Sequence, residues 1–258
     1  MACGISFLSD NYVDSSVLSL STGSENIQFP LENIKNEATA VKFRSIENDV
    51  VVVIDLQQTR TIDTVAIHGD TNNSLGLTTA SIRTSLTTDF SGSAVTAITL
   101  SAQNLIGYEY ITSVSHRYVE LTLSGTGVYA EISNLYVGKR TELLQQNLSI
   151  SSFKYGAVDQ SSRSSNKYGQ NFIDKRNQIK TLGGNIEFCI KSEQETLDAL
   201  FIDHGISKVI WMIVDKDGQS INDGQYKLTI YGYLTKRPQW TASGGQTYNT
   251  SVDIKQAG

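Results

Sequence analysis

The first half of the chain runs apolar or alternating in short stretches separated by turn residues. Val50-Val51-Val52-Val53-Ile54-Asp55-Leu56 is a continuous β-branched run, the pattern of a strand buried on both faces or central in a sandwich. The polar Gln57-Gln58-Thr59-Arg60 reads as a turn into a short strand through Ile62, Val65 and Ile67, which ends at Gly69-Asp70. Asn72-Asn73-Ser74 and Gly76 mark a loop. Alternation resumes over Ala80, Ile82, Thr84 and Leu86, stops near Asp89 and Gly92, and returns from Val95 to Leu100. Tyr118, Val119, Leu121 and Leu123 alternate again and close on Gly125 and Gly127, with short runs following over 128–132 and 135–137. Strands this short, at this spacing, predict an antiparallel sandwich or jelly roll.

The second half has a different grammar and begins near Leu148, after a polar connector from Lys139 to Asn147. Residues 159–166, Asp-Gln-Ser-Ser-Arg-Ser-Ser-Asn, are the most polar in the chain and predict a mobile loop or hairpin tip. Leu182-Gly183-Gly184 turns into a strand from Asn185 to Lys191. The next segment predicts a helix over 193–204. Ser192 and Glu195 have capping-box spacing, Leu197, Leu200 and Phe201 form an apolar stripe, and Gly205 suits an αL cap. Val209 to Val214 is wholly apolar, Asp217-Gly218 and Asp223-Gly224 are turn dipeptides, and a last strand spans Thr247 to Ile254. The expected fold class is mainly β: an N-terminal antiparallel jelly-roll β-sandwich over 1–140, plus a C-terminal β-sandwich with one flanking α-helix over 141–258.

Composition narrows the function classes. Of 258 residues, 39% are hydrophobic and 18% charged, with two prolines; that is enough apolar material for a core and excludes a disordered tail. No apolar run approaches the ~20 residues of a membrane-spanning helix. The net charge is −5, and phosphate binding needs a basic face, so a nucleic-acid partner is not expected. Lys139-Arg140, Lys175-Arg176 and Lys236-Arg237 read as solvated pairs. Cys3 and Cys189 form no disulfide framework or zinc motif, and Cys189 lies in an apolar strand where a thiol behaves as a small hydrophobe. Met1-Ala2-Cys3-Gly4 lacks the features of a signal peptide, so synthesis in a cytoplasm is expected.

Catalytic chemistry is hard to find. His68, His116 and His204 have no metal-ligand spacing and read as structural, His204 as a cation suited to the last helical turn. There is no nucleophile elbow and no phosphate-binding glycine loop. Asp55, Asp63 and Asp70 keep a hydrolase with dispersed carboxylates open as a third reading, since such pairs are defined in space. Asp215-Lys216-Asp217-Gly218 lacks the third acidic position and closing Glu of a calcium loop. The reading is therefore non-enzymatic, with no catalytic residue, metal or cofactor. For binding, Tyr108, Tyr110 and Tyr129 fall in or beside predicted loops, where a ring face and a hydroxyl suit a glycan or a partner protein.

A set of motifs over roughly 24–138 resembles galactose-binding-like (discoidin-type) jelly rolls found in tail proteins of tailed bacteriophages. They are Glu25-Asn26-Ile27-Gln28-Phe29-Pro30-Leu31-Glu32-Asn33-Ile34, then Phe43-Arg44-Ser45, Val53-Ile54-Asp55-Leu56, Thr61 to Gly69, Arg117-Tyr118-Val119-Glu120-Leu121 and Glu131 to Gly138. The second half is similar to distal-tail and tail-tube-like domains, through the strand, the helix, the Trp211 strand, Tyr231-Gly232-Tyr233-Leu234 and the strand from Tyr248 to Ile254. The resemblance implies a structural virion protein at the tail tip or baseplate, made in the bacterial host cytoplasm. Its implied partners are copies of itself in a ring, other phage tail proteins and a host surface glycan, with no membrane insertion. On that reading Ser161, Ser162, Arg163, Ser164, Ser165 and Asn166 form an inter-subunit arm. A free-standing carbohydrate-binding protein or adhesin is the alternative.

Overall fold

A computed structural model describes residues 5–69, 77–100, 106–125, 127–143, 152, 154–168, 170–176, 178–214 and 229–257. In the first half the strands are β1 (Ile5–Asn11), β2 (Val17–Thr22), β3 (Phe43–Arg44), β4 (Asp49–His68), β5 (Leu77–Ser85), β6 (Thr96–Ala97), β7 (Thr99–Leu100), β8 (Ile106–Gly125), β9 (Glu131–Ile132) and β10 (Asn134–Leu143). In the second they are β11 (Lys154–Asp159), β12 (Ser162–Ser165), β13 (Asn171–Asp174), β14 (Gln178–Ile190), β15 (Val209–Val214), β16 (Thr229–Leu234), β17 (Thr241–Gly244) and β18 (Thr247–Gln256). Helix α1 (Lys191–His204) separates β14 from β15. The chain is thus mainly antiparallel β with one α-helix among the described residues, as the periodicity predicts.

β4 corrects the expected turn at 57–60. It is one 20-residue strand in which Gln57 takes a left-handed φ of +65° and its N–H donates to Asp55 Oδ1 at 2.8 Å. Register shifts against β8 between Asp55 and Arg60 and between Ile62 and Thr64 make this a bulge rather than a reversal. Before the bulge the strand alternates, burying Val50, Val52, Ile54 and Leu56; after it, both faces are buried from Ile62 to His68. Inward residues from both parts share one core, Val52 and Leu121 with Val65, Ile67, Leu135 and Val137. Each such side chain contributes about 1.5–3 kcal/mol by leaving water.

β1 is the structural hinge between the halves of the sequence. On one side it pairs with β10, Ile5 opposite Leu143; on the other with β15, Ile5 opposite Val214. The sheet therefore runs unbroken as β11-β14-β18-β16-β15-β1-β10-β4-β8-β5-β6. Behind β1, α1 closes a second core of Ile5, Phe7, Ile186, Leu197, Phe201, Met212 and Ile254. On the opposite side an aromatic seam of Tyr108, Tyr136, Trp211 and Tyr231 joins β8 and β10 to β15 and β16.

Several local expectations change. The helix begins two residues early, at Lys191, with Ile190 at its N-cap and no side-chain cap bond. Ser192 and Glu195 therefore form no capping box, because Ser192 already lies inside the first turn; its carbonyl accepts Thr196 Oγ1 at 2.8 Å. Gly205 has the expected positive φ of +57°, but its ψ of −149° is not αL. The Asn72–Gly76 loop, the polar connector beyond 143, Cys3 and the turns at 217–218 and 223–224 lie outside the described residues. No described helix is long and apolar enough to cross a membrane.

Candidate functional site

Three loops of the first half are tied together by bonds from backbone N–H groups. Asn26 N–H donates to the Arg44 carbonyl (2.9 Å), Ile46 N–H to Ser24 (2.9 Å), Ser45 N–H to Ala130 (3.0 Å), and Gly127 N–H to Asn48 Oδ1 (2.9 Å). The Arg44 guanidinium lies between two rings, 4.5 Å from the centroid of Phe29 and 4.4 Å from that of Tyr129. Arg44 Nε also donates to Glu131 Oε2 at 2.6 Å, and Lys42 Nζ to Glu131 Oε1 at 2.8 Å. Beside them Ile27, Ile46, Val128 and Tyr129 are exposed. A ring held rigidly by a cation, among exposed apolar side chains, can stack on a sugar ring or an apolar partner. Of the three candidate tyrosines, Tyr129 alone stands on this surface.

Tyr108 and Tyr110 require correction. Both lie on β8, not in a loop, and Tyr108 closes its fully buried run from Ile106, only 8% exposed. Tyr110 is half-buried under the Arg140 guanidinium, 4.4 Å from its ring centroid, and burial pushes its hydroxyl up to about 12. These rings belong to the packing around the seam, not to a contact surface. Phe29 and Arg44 are the residues the sequence reading did not assign to a site; their loops meet Tyr129 only through tertiary hydrogen bonds.

The polar segment forms a ribbon. Ser162, Arg163, Ser164 and Ser165 make β12, which pairs with β13 and with no other described strand. Asn166 shapes the tip: its Oδ1 accepts from the N–H groups of Tyr168 (2.9 Å) and Gln170 (3.0 Å). Ser161 closes the base, its Oγ accepting from Arg176 N–H at 2.9 Å. Every residue of both strands is exposed, including Phe172 and Ile173, and Tyr168 is exposed at the tip. An isolated two-stranded ribbon is marginal in water, and this one presents apolar side chains that no other described element covers.

A cleft of about 560 Å³ opens where β1 meets both halves. Its walls include Asp10, Asn11, Tyr12 and Asp14, then Lys35 and Glu37, Arg60 of β4, Asn134 of β10, and Asp203, His204 and Lys208. Burial and the charge of Glu37 push the Asp14 carboxyl up to about 6, against a hydrogen bond from Asn11 Nδ2 at 2.9 Å. The His204 imidazole is buried, and desolvation followed by the Lys208 charge lowers its pKa. The expected helix-terminal cation is therefore disfavoured there.

The remaining titratable candidates are structurally engaged. Asp55 accepts both bonds of a fork from Arg117, each at 2.8 Å. Asp63 accepts from Arg140 N–H at 2.9 Å and from Thr64 Oγ1 at 2.8 Å. His116 Nδ1 lies 2.8 Å from Thr84 Oγ1, and His68 packs against Trp211 and Tyr231. Cys189 is a buried free thiol pushed up to about 12. Among the described residues no group of three or more His, Cys, Asp and Glu could hold a metal ion. Asp70 and the segment from Asp215 to Gly218 lie outside the described residues.

No protein-family model and no curated protein matches the chain. Among solved structures it is similar to the module CBM32-1 of a family 31 glycoside hydrolase from Clostridium perfringens, at 13% identity and a TM-score of 0.42, over 50% of this chain and 97% of that one. The lectin domain of lectinolysin complexed with Lewis B antigen matches at 14% identity and a TM-score of 0.43, over 50% of this chain and 96% of that one. A family 32 carbohydrate-binding module of Clostridium perfringens NanJ, in complex with galactose, matches at 16% identity and a TM-score of 0.41, over 52% of this chain and 99% of that one. Each likeness spans about half of this chain, and at these scores none carries a ligand or a site over to it.

Proposed function

We propose that the chain is a non-enzymatic structural protein that works in an assembly, with the ribbon of β12 and β13 reaching a neighbouring copy. The observation that carries this reading is the ribbon itself, whose Tyr168, Phe172 and Ile173 are exposed while, among the described strands, its two pair only with each other. Exposed apolar side chains on a projecting element belong against a partner surface. The setting, a phage tail tip or baseplate with other tail proteins as neighbours, rests on the sequence resemblance. Light scattering and negative stain of the full chain, with and without residues 161–175, test the assembly. Closed cyclic oligomers that dissociate without the ribbon are expected; a full chain that stays monomeric at working concentration sinks the reading.

The second reading, favoured by Tyr129 over Arg44, is glycan recognition on the loop surface, the first half then serving as a binding module. A glycan array with the native protein and a Tyr129→Ala variant tests it. Binding that the variant loses is expected, and a silent array overturns it without bearing on assembly.

A further inference from the structure

The register of the β12–β13 ribbon decides how a partner can hold it. Arg163 lies opposite Ile173, and Ser164 opposite Phe172. Residues directly opposite share a face of the ribbon, and successive residues point to opposite faces. Phe172 therefore stands on one face with Ser164, and Ile173 on the other with Arg163. They are 55% and 58% exposed, and every other residue of the two strands is exposed as well. Neither face is covered by another described element. β11, which leads into the ribbon, repeats the arrangement: Tyr155 and Val158 are both exposed and, three residues apart, point to opposite faces.

Charge is a second and independent observation. Between 161 and 176 the chain carries Arg163, Lys167, Lys175 and Arg176 against Asp174 alone, a net charge of +3. The whole chain stands at −5, so the residues outside this segment carry −8. The segment's single carboxylate is already engaged, Asp174 Oδ2 lying 2.8 Å from Arg176 Nη2, so what the ribbon offers a partner is basic. A basic ribbon on an acidic chain is complementary to the body of another copy. An anionic membrane fits less well, because it would attract the ribbon and repel everything else. Phe172 and Ile173 also sit behind the tip, beside Asp174, rather than at the tip where insertion would need them.

We infer that the ribbon is clasped on both faces by acidic surface of neighbouring copies of this chain, not laid flat against one of them. The inference rests on the assembly reading above and adds to it the shape and charge of the seat. Laid flat, the ribbon would bury either Phe172 or Ile173 and leave the other in water. Clasped, it buries both, and gains on each face the cover that a lone pair of strands lacks. Arg163, on the face of Ile173, then meets the negative charge that the rest of the chain carries in excess.

Sedimentation velocity of the full chain over a dilution series, beside Phe172→Ser, Ile173→Ser and Arg163→Glu, tests it. All three side chains are exposed and outside the cores, so the variants fold; an unchanged circular dichroism spectrum checks this. Each substitution is expected to weaken self-association by about tenfold or more. Raising the salt from about 50 to about 500 mM should weaken it as well, by screening the charges. If removal of 161–175 dissociates the oligomer but only one of Phe172 and Ile173 matters, the clasp is overturned and the assembly reading stands. Association indifferent to salt and to Arg163→Glu overturns the acidic seat in the same way. An oligomer that survives removal of 161–175, or a chain that is monomeric throughout, overturns both. Flotation with vesicles of phosphatidylserine and phosphatidylcholine, lost on Phe172→Ser while self-association is unchanged, assigns the ribbon to a membrane and overturns the inference.

Discussion

Phe7 of β1 and Phe201 of α1 meet edge to face, ring centroids 5.7 Å apart and planes 85° to one another. Neither ring is exposed to solvent. The contact fastens the helix to the strand that both halves of the sheet share. Phe201→Ala is expected to cost about 3–5 kcal/mol, the transfer term plus the cavity left behind. Urea unfolding of the two proteins measures it, and a loss below about 1 kcal/mol would show that the second core collapses freely around the gap.

The Asp55–Arg117 fork gives an acid dependence with a definite sign. The hydrogen bond from Arg117 holds the Asp55 carboxyl below the usual carboxylate range, with a smaller contribution from Gln57 N–H. The pair's stability is therefore present above the unfolded pKa and is lost as pH falls through the lower folded value. Both side chains reach solvent, so the contribution is the small one of a screened surface ion pair. Below about pH 4 the native protein should lose more stability than Asp55→Asn, the two curves converging in acid. Parallel curves across the whole range would falsify the linkage.

Cys189 should be chemically silent in the folded state. Burial, then the nearby Glu193 carboxylate, keeps the thiol protonated, and only the thiolate is nucleophilic. Alkylation at about pH 8, mapped by mass spectrometry, is expected to spare Cys189 until denaturant is added. Labelling at equal rates in both conditions contradicts the burial.

Gly125 should prove essential to the Tyr129 surface. A Cβ there would run into the Tyr129 carbonyl, backbone that cannot step aside cheaply. Gly125→Ala is expected to cost about 1–3 kcal/mol, as overpacking does, and to shift the signals of the 127–130 loop in an NMR spectrum. A variant with native stability and an unmoved loop would mean that the close approach is not needed.

What could be read from the residues follows the range of the forces involved. Alternation found the cores of β4 and β8, because Val50, Val52, Ile54, Val119, Leu121 and Leu123 bury on one face with period two. It misread Gln57–Arg60 because a bulge and a turn call for the same polar residues, and only the partner strand distinguishes them. Tyr108 and Tyr110 looked like loop residues for a related reason. Where β8 is covered on both faces its pattern loses the polar alternation that marks a strand, and the cover comes from Arg140 and the seam. The Ser192–Glu195 spacing matched a capping box, yet β14 runs directly into α1 and leaves Ile190 at the cap. Nothing local could reveal the cleft. Its acidic residues come from Asp10, Asp14, Glu37 and Asp203, which only the pairing of β1 with both β10 and β15 brings together.

That pairing also has a consequence for biosynthesis. β1 leaves the ribosome before the other described strands, yet Ile5 finds no partner until Leu143 has emerged and lacks the other until Val214 follows. Throughout that interval Ile5, Phe7 and Leu8, all buried in the finished protein, stay in contact with water or with whatever holds them. Of the described strands, the earliest to be made is among the last to be locked in place. Translation must run far into the second half of the message before the first half can be completed, and a ribosome stalled between the two releases a β1 that is paired on one side and bare on the other.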